Sequence, residues 1–160
     1  MNHSPLQLRC DRNALGISSD NWKSALLQAQ LDPVVGIRHA ALSGDAQYRL
    51  HVAAIPTQVG CHFHLKGDED YAIVSGQGTL HWGKVRSQNG VHEITWETPL
   101  DVQVGDRFVI PAGYAHQLRK RGHDELVIVF GCPDSHLDNT KDRTLLSDAP
   151  TPSADSKRAL

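Results

Sequence analysis

The chain has no apolar run approaching the roughly 18 residues that a membrane-spanning helix needs, so no membrane role is expected. Cysteine is scarce. Cys10, Cys61 and Cys132 are widely spaced, odd in number and form no CxxC pair. That speaks against a disulfide framework and makes a reducing cytoplasm the expected setting. Positive charge is not in excess. The formal net charge of −2 argues against a phosphate-binding footprint, and so against nucleic acid as a partner. The first 20 residues hold Arg9, Asp11, Arg12 and Asp20 without an uninterrupted apolar block, which speaks against a secretory signal. No internal repeat and no helix-turn-helix segment is present.

What is present suits one domain. A length of 160 residues is ample for one core and short for two. The 39% hydrophobic content supplies that core, and 13 Gly and 8 Pro favour many turns. Ten histidines is a high count and hints at a metal site.

Residues 1–17 lack periodicity and read as an irregular arm. Ser18-Ser19-Asp20 then offers cap oxygens to a helix over 21–30, where Trp22, Ala25, Leu26 and Ala29 make one stripe. Asp32-Pro33 ends it, because a residue before proline avoids helical geometry. From residue 34 short strands follow: 34–42, 47–55, the stretch around His62, 71–74, 79–85, 92–97, 100–104, 107–110, 116–120 and 125–130. Turns of Gly, Pro and Asn separate them, among them Asn89-Gly90, a strong hairpin signal. This spacing predicts an all-β sandwich or barrel with a short N-terminal helix. After Cys132-Pro133 the pattern fades. The organisation expected is an arm and helix over 1–33, a barrel over 34–132 and a further segment over 133–160. That segment is expected to be largely disordered after 146, because 147–160 is polar and proline-rich.

One stretch carries the chemistry: Cys61-His62-Phe63-His64-Leu65-Lys66-Gly67-Asp68-Glu69. On a strand His62 and His64 share a face. A turn at Lys66-Gly67-Asp68 then returns Glu69 to the same point. Two imidazoles and a carboxylate form a donor set suited to a mid-row divalent metal.

Reading on, six residues separate Glu69 from Gly76. Downstream lie Gly105, five residues, Pro111-Ala112-Gly113, two residues and His116. Together these segments resemble the two motifs of the cupin superfamily, over about residues 34–132. Pro56 stands where the first motif opens with glycine, and Lys120 where the second ends in asparagine. Neither position is a ligand in that family. The resemblance implies a single-domain cupin-type β-barrel or jelly roll. It also implies a fourth metal ligand, His116, joining His62, His64 and Glu69. The alternative is a cupin that keeps these histidines for packing. Against it, four buried polar groups aimed into one cavity need a partner, and a cation satisfies all of them. The donors suit Fe, Mn, Ni, Co or Zn. In octahedral geometry two positions stay open, which separates such a site from a closed structural one.

Tyr71, two residues after Glu69, points into the same cavity if the strand is regular. It is a candidate catalytic acid–base group or a space-filling wall residue. Arg49 and His51 share a strand face: inside they would bind an anion, outside they are solvated, and the outside reading is expected. His81 shares that ambiguity. Trp82 and Trp96 are expected to pack, and Cys61 to lie in the outer layer. Arg119-Lys120-Arg121 is read as a solvated hairpin tip. His3, His39, His92, His123 and His136 carry no spacing pattern and receive no role. Ser135-His136-Leu137 and Asp142-Arg143 are candidates to dock the last segment on the barrel or on a partner chain.

The functional expectation is a metal-dependent enzyme on a small organic substrate: a dioxygenase, an isomerase or a lyase. The alternative is a non-catalytic metal- or small-molecule-binding cupin, such as a sensor. A homodimer through edge strands or the N-terminal arm is expected.

Overall fold

A computed structural model describes residues 6–11 and 13–151. Parts of the N-terminal arm and of the predicted tail, residues 1–5, 12 and 152–160, lie outside that range. The chain begins with β1 (Arg9–Cys10), a short 3-10 turn and α1 (Ser19–Leu26). Then come β2 (Gln30–Asp32), β3 (Ile37–Asp45), β4 (Tyr48–Ile55), β5 (His62–Phe63) and β6 (Glu69–Ser75). The long β7 (Gln77–Gln88) is followed by β8 (Val91–Trp96), β9 (Leu100–Gln103), β10 (Asp106–Ile110), β11 (Tyr114–Arg121) and β12 (Leu126–Cys132). A 3-10 turn over Asp134–Leu137 leads to β13 (Thr144–Leu145).

All named strand pairings are antiparallel, and the strands form two sheets. One runs β1-β10-β6-β12-β4-β3-β2 and the other β13-β5-β11-β7-β8, with β9 added on β7. Between them lies the main core, with Ile37, Ala53, Ile55, Ile73, Leu80, Trp82, Phe108, Ile128 and Phe130. The alternation on β4 decides the layers. Ala53 and Ile55 face this core, whereas Val52 faces a second cluster under the helix, with Trp22, Val127 and Val129. The expected all-β jelly roll with one short helix is what is observed.

The helix is shorter than predicted. It starts where expected, with Ser18 Oγ accepting from Asn21 N–H. It stops at Leu26, and Gln30–Asp32 becomes an edge strand on β3. Pairing with an existing sheet outweighs a weak helical propensity. Tight turns fall at Gly76 and at Asn89-Gly90. Gly76 has φ +74°, and a Cβ there would lie 2.5 Å from the Glu125 carbonyl oxygen. Asn89 and Gly90, both at positive φ, close the β7–β8 hairpin.

The segment after the barrel packs back on it. β13 pairs with β5, Leu146 N–H donates to the Cys61 carbonyl, and Ala149 is buried. Asp148 accepts from Gln58 and Gln117. Loose chain was expected from residue 147, yet Asp148 and Ala149 are held. A polar sequence does not forbid order where each polar group meets a partner on a formed sheet.

Candidate metal centre

Four donors meet between the two sheets, Glu69 from the first and His62 and His116 from the second. In the β5–β11 pairing His62 stands directly opposite His116, so residues far apart in sequence become neighbours. The Pro111-Ala112-Gly113 turn returns to the first stretch, where Gly113 N–H donates to the His64 carbonyl. Glu69 opens β6 and shares an inward face with Tyr71 and Ile73. One donor atom from each of His62, His64, Glu69 and His116 lies within 4.8 Å of the others, and all four residues are buried. The ring centroids are 4.4 Å apart for His62–His116 and 4.9 Å for His62–His64.

The hydrogen bonds fix which nitrogen faces inward. Nδ1 of His62 is 2.6 Å from the Gly60 carbonyl, that of His64 is 2.6 Å from the Asp142 carbonyl, and that of His116 is 3.1 Å from the Tyr114 carbonyl. A carbonyl only accepts, so each Nδ1 carries the hydrogen, and a neutral ring then presents a lone pair at Nε2. Nε2 of His64 and Nε2 of His116 are buried without a hydrogen-bond partner. Nε2 of His64 also sits 2.8 Å from Glu69 Oε2, two electron pairs face to face. A cation between them removes that conflict, so the residues fit a metal ion.

The charge states agree. Burial, then the neighbouring His116 and His64, pushes His62 well below its ordinary value. Burial also lowers His116, to about 4, against the pull of Glu69. Burial opposes charge on Glu69, but His64, His136 and His116 together hold its carboxyl well below the usual range. Neutral imidazoles beside an ionised carboxylate are the forms that bind a divalent ion.

The model of the polysaccharide biosynthesis C-terminal domain matches residues 37–144, about two thirds of the chain. The chain belongs to that family. No curated protein matches this chain by sequence. Solved structures share its fold at low identity. A hydroquinone 1,2-dioxygenase in complex with Cd2+ and 4-hydroxybenzonitrile aligns with a TM-score of 0.51 and 13% identity, over 58% of this chain and 61% of its own. A Lactobacillus farciminis oxalate decarboxylase formate complex gives 0.50 and 15%, over 74% of this chain and 33% of its own. A Solanum melongena vicilin, described with anionic ligands in similar pockets, gives 0.51 and 19%, over 73% and 32%. The domain thus spans from about a third to three fifths of those chains. Its fold is that of the cupins, as the two motifs implied.

Within this cupin-type fold, Tyr71 reaches the site, and its hydroxyl donates to Glu69 Oε1 at 2.7 Å. Burial, then Glu69, raises its pKa well above the ordinary phenol value. His51 is not on a solvated face. It is buried on the interior side of β4 and stacks on Phe130 at 4.8 Å. The strand alternation was read correctly; which face met the core was not. Arg49 binds Asp134 through two hydrogen bonds. Cys61 is buried, which pushes its thiol up to about 12. Arg119 is not a solvated tip either: it donates to Gln58, Gln117 and the Ala149 carbonyl.

Two contributors carried no sequence signal of a site role. His136 stacks on His64 at 3.8 Å, with Nδ1 3.2 Å from Glu69 Oε2 and Nε2 2.6 Å from the Lys66 carbonyl. Asp142 accepts from the N–H of Leu65 and of Lys66, at 2.7 and 2.9 Å, while its own carbonyl orients His64. Both come from the segment after the barrel. Only the guess that this segment docks on the barrel pointed toward them.

Proposed function

We propose that this cupin domain is a metal-dependent enzyme acting on a small organic molecule, with His62, His64, Glu69 and His116 holding one divalent ion of Fe, Mn, Ni, Co or Zn. The observation that carries this is the pair of buried, unpartnered Nε2 atoms aimed at an ionised carboxylate. Such an ion supplies Lewis acidity or an oxygen-activating centre when bound. The protein's part is to hold three imidazoles by Nδ1 and to keep Glu69 charged. Tyr71 holds a proton at Oη against Glu69, where it orients the carboxylate and stands as the proposed acid–base group. Val35, Ile37 and Ile128 make the cavity wall apolar and keep water from the donors.

The cupin fold does not choose a reaction, since it serves a dioxygenase, a decarboxylase and a vicilin alike. The family's description places such domains in polysaccharide biosynthesis, so sugar-derived molecules head the substrate panel. The test is elemental analysis of freshly purified protein, followed by oxygen uptake and product analysis on that panel. About one metal per chain and turnover lost in His62→Ala support the reading. Metal-free protein that gains no ion from any of the five candidates overturns it. A second reading, a cupin that binds without turnover, draws support from the small inner cavity of ≈ 30 Å³. A ligand that raises the melting temperature and is recovered unchanged decides for it.

We also place the protein in a reducing cytoplasm, where the buried thiols of Cys61 and Cys132 stay unpaired. No described helix is long and apolar enough to cross a membrane. We further propose a homodimer through the β2 edge, where Leu27, Leu31 and Val34 are 86%, 62% and 46% exposed. Light scattering at working concentration should give twice the chain mass, and a monomer mass refutes it.

A further inference from the structure

The wall of the inner cavity holds a cation that the four donors do not use. Arg143 is 6% exposed and lines the same cavity as His62, Glu69, Tyr71 and His136. A guanidinium carries five N–H groups in a planar fork. Here Nε donates to Asn139 Oδ1 at 2.5 Å, and Nη1 donates to Asp32 Oδ2 at 2.9 Å. Nη2 makes no hydrogen bond to any described residue. Arginine–carboxylate pairs frequently set the fork bidentately. This one touches Asp32 through one amine and leaves the other unpaired. Asp32 itself lines an open cleft of ≈ 690 Å³ beside His39, Arg49 and His51. The ion pair therefore joins the lining of the outer cleft to that of the inner cavity.

We propose that Arg143 is a specificity-determining residue that binds the carboxylate of a small substrate acid. The proposal rests on the reading of His62, His64, Glu69 and His116 as a substrate-processing metal centre. Three features select a carboxylate. Its planar oxygens match the fork. The inner cavity, at ≈ 30 Å³, has room for little more than a group the size of one water. Beside the polar His62, Glu69, Tyr71 and His136, its wall carries apolar Ile37, Ile128 and Leu137, which suit a short carbon chain. Asp32 is then the resident competitor, held on one amine until a substrate carboxylate takes the fork.

The test uses propionate and its neutral isostere propionamide as probes, titrated by calorimetry into metal-loaded and metal-free full-length protein. Wild type should bind propionate at least about tenfold tighter than propionamide, the scale of one charge-assisted hydrogen bond. Arg143→Gln should erase that preference, and Arg143→Lys should keep part of it. Asp32→Asn should tighten propionate binding by removing the competitor and leave propionamide unchanged. If the ion pair is only structural, both Arg143→Gln and Asp32→Asn lower the melting temperature and neither alters the charge preference. That result overturns the proposal, as does equal binding of the two probes by wild type. Should Arg143→Gln fail to fold, the opposite direction expected of Asp32→Asn still decides. Metal content is measured in every sample. Wild type that takes up no ion ends the metal reading, while the metal-free titration still judges Arg143 by the same criteria.

Discussion

His62, His64 and His116 are each tied at Nδ1 to a main-chain carbonyl, and this commits each ring to presenting Nε2 to the site. Burial has a pH signature. Burial lowers His51 and His116 to about 4 in the folded protein, against roughly 6.5 unfolded. Between those values the unfolded chain binds more protons, so stability falls as pH falls. Glu69, held low, adds a loss of the same sign below the usual carboxylate range. His136 opposes them. Burial would lower it, but its bonds to Glu69 and the Lys66 carbonyl raise it, so its contribution is lost as pH rises through its folded value. The metal-free protein should therefore lose stability from about pH 6.5 to pH 4, by on the order of 3 kcal/mol for each depressed histidine. Urea midpoints at pH 7.5, 6 and 4.5 check this, and a flat profile contradicts it. His136 also predicts a titration result. Removing an outer hydrogen bond to a ligand weakens metal binding by about 10–100-fold, so His136→Ala should do so with one metal per chain still bound at saturation. At this scale much of the site was legible. His62, His64 and Glu69 followed from alternation and one turn, and His116 from a family resemblance. His136 and Asp142 were not legible, because no periodicity links a supporting side chain to the atoms it supports.

Strands of eight or more residues announce themselves by alternation, and β4 and β11 were legible for that reason. The two-residue strands β1 and β13 have no period to detect, and β2 was hidden under a helical pattern. These short elements exist only because a neighbouring edge offers hydrogen bonds. β13 matters most, since it flanks His62 and Phe63 directly. Asp142, two residues before it, accepts from two backbone N–H groups on the chain leaving β5. Asp142→Ala should cost about 2–3 kcal/mol in urea unfolding, as the N–H groups of Leu65 and Lys66 lose their acceptor while the carbonyl that orients His64 stays. Loss under 1 kcal/mol would mean that water replaces the carboxylate. Gly76→Ala gives a comparison away from the site. Positive φ and the 2.5 Å approach to the Glu125 carbonyl predict a loss of about 2 kcal/mol or more with metal content unchanged.

For the whole molecule, the two cupin motifs were enough to place a closed antiparallel fold, because the turns they encode and the donors they carry belong to one topology. The segment after the barrel was legible only as a candidate to dock, and its polar, proline-rich end from residue 147 read as disorder because order there needs a surface already formed. Because a bound ion stabilises the native state alone, metal removal should act globally. Chelation should lower the melting temperature by about 5–10 °C, given roughly 2.7 kcal/mol at a hundredfold excess over Kd and about 2–4 °C per kcal/mol at this size. Re-addition of the native ion should restore it, and calorimetry with and without chelator reads both.

The order of synthesis adds a constraint. The carbonyl that orients His64 and the strand that borders His62 lie downstream of every donor. A nascent polypeptide still on the ribosome reaches the fourth ligand at His116 before it has made Asp142 or β13. Until translation passes Leu146, the cage is complete in ligands but not in their supports. Should the proposed ion bind, a chain translated past Leu146 will hold it more tightly than one halted before Asp142.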